Sequence, residues 1–92
     1  MSAPSAPVML VTGAARRVGA EIARALHAAG ATVAIHCRAS RAEAEDLAAA
    51  LNGIRPDSAA VFAADLLDVT ALSPLVGAVV ARFGRLDALV NN

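Results

Sequence analysis

The sequence predicts an α/β fold on a parallel sheet, in the order βαβαβαβ. Three observations carry that prediction. Short apolar runs occur without polar alternation, as strands buried on both faces require. Between them lie stretches with apolar residues at three- and four-residue spacing, the period of a helix face. Glycines stand where these stretches end, at Gly30, Gly53 and Gly84. Such alternation implies right-handed crossovers, with helices on both faces of the sheet.

The first strand is expected at Val8–Val11. A helix follows, with Val18, Ile22 and Leu26 on one stripe, Ala25 and Ala29 beside it, and Gly30 as its stop. Thr32–His36 is a β-branched run and the second strand. Ser40 with Glu43 has the spacing of a capping box, so the next helix should start there and run to about Leu51. Arg55-Pro56-Asp57-Ser58 is turn chemistry, and Ala60–Ala63 is the third strand. Leu72, Leu75, Val76, Val79, Val80 and Phe83 make a broad helical stripe, with Pro74 tolerated in the first turn. Leu86–Val90 is the fourth strand.

Composition excludes several classes. Eight basic residues, all Arg, balance eight acidic ones, which argues against a nucleic-acid surface. No apolar run approaches the roughly 20 residues that span a bilayer. Met1 to Pro7 has no basic stretch leading into a long apolar one, so no secretory signal is expected and a cytoplasmic location is. A single cysteine, Cys37, excludes an internal disulfide and a cysteine-rich metal site, and it is read as a small core filler. His27 is expected on a surface or half-buried helix position without a chemical role.

Between the first strand and first helix lies Thr12-Gly13-Ala14-Ala15-Arg16-Arg17-Val18-Gly19. A strand turning sharply into a helix leaves unpaired N–H groups at the helix start, which with the helix dipole attract an anion. Gly13 permits the tight turn, and Gly19 permits close packing and approach of a pyrophosphate. Read more plainly, the glycines only end a strand and pack a helix. The strand–turn–helix setting favours the anion site, and Arg16 and Arg17 inside the turn fit it. Dinucleotide folds that prefer NAD carry an acid at the end of the second strand, to hold the ribose 2′-hydroxyl. Here that place reads His36-Cys37-Arg38-Ala39-Ser40, with no acid. Arg38 can hold a 2′-phosphate bidentately and Ser40 can donate a further bond, so NADP(H) is expected over NAD(H). The plainer alternative makes Arg38 a loop residue and Ser40 a helix cap.

Three segments together resemble the short-chain dehydrogenase/reductase family: Thr12-Gly13 through Gly19, Ala64-Asp65-Leu66, and Leu89-Val90-Asn91-Asn92. The first fits the family's Thr-Gly-x-x-x-Gly-x-Gly pattern, with Arg17 in the middle-glycine slot. The last resembles the start of its Asn-Asn-Ala-Gly motif. Within the family the turn, His36–Ser40 and the stretch from Leu51 to Ser58 look most like pteridine reductases. The resemblance implies a Rossmann-type fold of which residues 7–92 are the amino-terminal, NADP-binding part and residues 1–6 a flexible tail.

It also implies site roles. Gly13, Arg16, Arg17, Val18 and Gly19 surround the cofactor phosphates, and Arg17 borders a pterin substrate as well. His36, Arg38 and Ser40 surround the 2′-phosphate. Asp65 holds the adenine amino group, Leu66 flanks the ring, and Asn91 lines the adenosine ribose. Asp65 and Asp68 can also be plain turn residues before Thr70, and Asn91 a strand-end residue.

The reaction implied for a complete homologue is hydride transfer from NADPH to a pterin or dihydropterin, in a homotetramer. The family's Tyr-x-x-x-Lys pair has no counterpart, because the chain has neither Tyr nor Lys. Other expectations are a different NADPH reductase, such as a 3-oxoacyl carrier-protein reductase, or a non-catalytic nucleotide-binding remnant. The former typically keep glycine at the Arg17 position. With the fourth strand as the last one, one sheet edge is expected to lie open.

Overall fold

The computed structural model describes residues 6–92, so the expected 1–6 tail, apart from Ala6, lies outside the described residues. The order is β1 (Val8–Val11), α1 (Arg17–Ala28), β2 (Thr32–Cys37), α2 (Arg41–Ile54), β3 (Ala59–Ala63), a single 3-10 turn (Val69–Ala71), α3 (Leu72–Phe83) and β4 (Ala88–Val90). All pairings are parallel, in the order β3-β2-β1-β4. The chain starts mid-sheet, moves out through β2 and β3, then returns to the other side of β1. Sheet order therefore reverses between β1 and β4, the point at which open α/β sheets form a crevice at their strand carboxyl ends.

Side chains on successive strand residues alternate between two cores. Val11, Val33, Ile35 and Cys37 face α1 and α2, where Ala23, Ala44 and Leu47 meet them. Leu10 and Ala34 face the other way, against Leu75 and Val79 of α3. Phe62 and Phe83 close that second core edge to face, with centroids 6.4 Å apart. Among the described strands β3 and β4 are the outer ones, and Leu89 on β4 is exposed. Among the described residues no helix is long and apolar enough to cross a membrane.

The structure corrects several details. On α1 the buried face is Gly19, Ala20, Ala23 and His27, whereas Val18 of the expected stripe is exposed. Small residues let this helix sit close to the sheet, and its larger apolar residues move to the flanks. The capping box does not form: Ser40 precedes α2 but makes no side-chain cap bond, and Glu43 pairs with Arg16 at 3.4 Å instead. Helix α2 runs on through Gly53 to Ile54. A side-chain cap does form at the 3-10 turn, where the Asp68 carboxylate accepts from Thr70 N–H at 3.0 Å. A bond from the Thr70 hydroxyl, and after it that N–H bond, hold the Asp68 carboxyl below the usual range.

His27 is buried, not half-exposed, because the last turn of α1 packs on the end of α2. Its Nε2 lies 2.6 Å from the Ser58 hydroxyl, which donates to the Arg55 carbonyl. The Arg55 guanidinium donates to the Ala31 carbonyl at 2.6 Å and to the His27 carbonyl at 3.3 Å, closing the end of α1. Asn52 accepts from the N–H groups of Ser58 and Ala59 and donates to the Ala59 carbonyl, all at 2.9 Å. One amide thereby seats the first residue of β3. At the start of β4, Asp87 accepts from Val8 N–H at 2.8 Å and is gripped by both ends of the Arg85 fork. Those bonds, the arginine's first, hold the Asp87 carboxyl below the usual range.

Burial lowers the His27 pKa below that of a free imidazole, and the Arg55 charge lowers it further. The unfolded chain then takes up a proton that the folded chain refuses. Stability is full above the unfolded value, about 6.5, and declines as pH falls below it. Thermal melts from about pH 7.5 to about pH 5.5 should show a falling midpoint. The decline should be shallower in His27→Gln, and an equal slope in the variant would contradict this assignment.

Candidate cofactor site

All strands being parallel, their carboxyl ends meet at one edge of the sheet, and four residues tie that edge together. Thr12 follows β1; its N–H donates to the Val90 carbonyl at 3.0 Å. Its hydroxyl accepts from Asn92 N–H at 2.9 Å and points its proton at Asn91 Oδ1, 3.2 Å away. The Asn92 side chain donates to the Gly13 carbonyl at 3.3 Å. His36, near the end of β2, is buried. Its Nδ1 accepts from Gly13 N–H at 3.0 Å, which leaves Nε2 to carry the proton and donate to the Ala64 carbonyl at 2.8 Å. One imidazole therefore joins the turn after β1 to the loop after β3.

The turn itself is held by close approach. Gly13 sits at φ +60°, and a Cβ on Gly19 would lie 2.2 Å from the Gly13 carbonyl oxygen. Arg17 also has a left-handed backbone, φ 55°. Glycine takes that conformation freely, whereas an L-residue with a side chain pays about 1–2 kcal/mol. This is a physical reason for the middle position of such turns to be glycine. Helix α1 begins there with no side-chain cap. Its first internal bond is Ala20 N–H to the Arg16 carbonyl, 3.3 Å, so the N–H groups of Arg17, Val18 and Gly19 precede the ladder.

Six of the expected site residues converge on one cavity of about 270 Å³. Gly13 comes from the turn, His36 and Arg38 from the end of β2, Asp65 and Leu66 from the end of β3, and Asn91 from the end of β4. Asp65 Oδ1 accepts from Leu67 N–H at 3.0 Å and lies 3.7 Å from Arg38 Nε. A second cavity of about 230 Å³ shares Thr12, Leu66 and Asn91 and is otherwise apolar, with Val69, Leu72 and Leu89. Arg16 and Arg17 lie elsewhere, in a groove of about 420 Å³ between α1 and α2 that also holds Glu43 and Asp46. Val18 is exposed, and Ser40 lines neither strand-end cavity.

Thr12, Asn92 and Leu67 complete the strand-end cavity and were not singled out from sequence. Thr12 and Asn92 did stand inside the quoted motifs, but their spacing gave no sign that they bond to each other. Cys37 is buried and its thiol is pushed up by that burial, as suits a filler and not a nucleophile. Among the described residues no group of His, Cys, Asp and Glu could hold a metal.

This chain belongs to the short chain dehydrogenase family, whose pattern it matches over residues 7–92. It is 45% identical to pteridine reductase 1 of Leishmania tarentolae, over 99% of this chain and 37% of that protein. It is 40% identical to an uncharacterised oxidoreductase of Methylorubrum extorquens, over the whole of this chain and 37% of the relative. It is 37% identical to the 3-oxoacyl-[acyl-carrier-protein] reductase of Staphylococcus aureus, over 90% of this chain and 33% of the relative. The chain thus spans about a third of the length of the curated relatives it matches.

Two substitutions test the turn. Gly19→Ala forces the helix start off Gly13 and should cost about 1–3 kcal/mol in denaturant unfolding. Arg17→Gly should leave stability unchanged or raise it by up to about 1 kcal/mol, because relief of the left-handed backbone is offset by added freedom in the unfolded chain. A loss larger than about 1 kcal/mol on Arg17→Gly would mean that the arginine side chain itself supports the turn.

Proposed function

We propose that residues 7–92 form the NADP-binding part of a short-chain reductase that transfers hydride to a pterin or dihydropterin. The observation that carries the cofactor reading is the end of β2: Arg38 reaches the strand-end cavity, and no residue from His36 to Ser40 is acidic. A 2′-phosphate there meets a guanidinium, where an NAD site would offer a carboxylate. The fit is supported by the Gly13–Gly19 contact, which leaves room for backbone and none for a side chain. Helix N–H groups at Arg17 to Gly19 suit a pyrophosphate.

In this reading Asp65 accepts from the adenine amino group, Leu66 covers the ring, and Asn91 lines the ribose. Arg17 lines the groove between α1 and α2 and would turn from it to bridge phosphate and substrate. His36 acts by holding Gly13 and Ala64 in place, since both of its ring nitrogens are already bonded. Bound NADPH would supply the hydride. The residues described here bind and orient, and with no Tyr or Lys in the chain they include no counterpart of the family's proton-delivering pair. The pterin assignment is supported by arginine in the middle-glycine slot and by the similarity to a pteridine reductase across nearly the whole chain. A cytoplasmic setting and a homotetramer go with this reading.

Equilibrium titration with NADPH and NADH tests it. NADPH should bind more tightly by about tenfold or more, the worth of a charge-assisted hydrogen bond. Arg38→Ala should bring the two cofactors close to parity. Equal or tighter NADH binding by the unsubstituted protein would overturn the reading.

A further inference from the structure

The strand-end cavity is lined by one guanidinium, Arg38, and one carboxylate, Asp65. Among the described residues no other charged side chain lines it: His36 is committed at both nitrogens to Gly13 and Ala64, and Arg16 and Arg17 line the separate groove. The two charges are 3.7 Å apart, Nε to Oδ1. Both side chains are more than half exposed, 63% for Arg38 and 53% for Asp65. An ion pair so placed is weak, and an incoming anion can compete for it.

The two partners are not equally free. Asp65 is anchored, because Oδ1 also accepts from Leu67 N–H at 3.0 Å within the turn after β3. The loop after β3 is tied to β2 as well, by Ala64 N–H to the Cys37 carbonyl at 3.0 Å. The carboxylate is therefore a fixed negative charge beside the only cationic side chain that lines the cavity among the described residues. A phosphate monoester carries about −1.5 to −2 at neutral pH. It must share Arg38 with this carboxylate and lie within its field.

We infer that Asp65 is a specificity-determining residue that limits the preference of this site for a 2′-phosphorylated adenine nucleotide, by holding part of the Arg38 charge. This rests on the NADP reading of the same cavity. Asparagine at position 65 would keep the Oδ1 acceptor for Leu67 N–H and remove only the charge. The site would then favour the 2′-phosphate more strongly, through Arg38.

The probes are adenosine 2′,5′-bisphosphate and adenosine 5′-monophosphate, which differ only in the 2′-phosphate. Their affinity ratio cancels any effect of Asp65 on the adenine ring. By calorimetric titration the ratio in Asp65→Asn should exceed that of the unsubstituted protein by about twofold to fivefold. The rise should vanish when Arg38→Ala is added, and thermal melts of each variant report its folding. A ratio unchanged or lowered by Asp65→Asn overturns the inference, while a preference for the bisphosphate in the unsubstituted protein leaves the NADP reading intact. If the unsubstituted protein shows no preference and Asp65→Asn creates one, the inference stands and the cofactor reading falls. If neither shows one, both fall.

Discussion

The imidazole of His36 is the tie on which the cofactor edge depends. A parallel sheet delivers its strand ends to one side, but it does not fix the loops that leave them. Gly13 N–H faces away from any ladder, and the Ala64 carbonyl lies beyond the last pair of β3. A side chain with one acceptor and one donor on opposite sides satisfies both at once. Remove it, and two backbone groups are left to find water inside a small cavity, at a cost of about 1–3 kcal/mol each where they remain unpaired. Thr12 plays the corresponding part on the β4 side, where its hydroxyl accepts from Asn92 and donates toward Asn91. The crevice is thus framed by neutral hydrogen bonds, and its two charges, Arg38 and Asp65, lie paired with each other inside that frame.

Much of this was legible in the sequence. The strand order of elements, the parallel sheet and the helices on both faces follow from unbroken apolar runs alternating with helical stripes, a pattern that survives one-residue errors at either end. Gly13 and Arg38 were legible as neighbours because each stands just after a strand and parallel strands share an end; Asp65 and Asn91 joined them through the family resemblance. What could not be read was direction around a helix. Val18 looked like a core residue by spacing, yet the alanines of α1 took the buried face because close packing rewards small side chains. Ser40 and Glu43 had the right spacing for mutual capping, but Arg16, distant in sequence, took the glutamate. Partners of this kind are set by tertiary approach, and a single sequence does not display them.

The stretch from Leu51 to Ser58 shows a different separation. It contributed to the likeness with pteridine reductases, yet it sits at the opposite end of the sheet from the strand-end cavity. Its residues close helix ends and seat β3: Asn52 through its amide, Arg55 through its guanidinium, Ser58 through His27. Similarity in this segment therefore reports shared architecture and says little about the ligand. The charged residues of the strand-end cavity are fewer, namely Arg38 and Asp65, and they are arranged as an opposed pair.

Cys37 has a further consequence. It is the only thiol of the chain, and it is buried in the core cluster that includes Ala44, Leu47 and Ala48 of α2. A thiol-specific reagent can reach it only when that helix lifts from the sheet. The rate of labelling is then a clock for a local opening, governed by the population of the lifted state and not by the intrinsic reactivity of the sulfur. Because β2 carries Cys37 next to His36 and Arg38, the same opening disturbs the cofactor edge, and ligand occupancy and labelling rate become two views of one fluctuation.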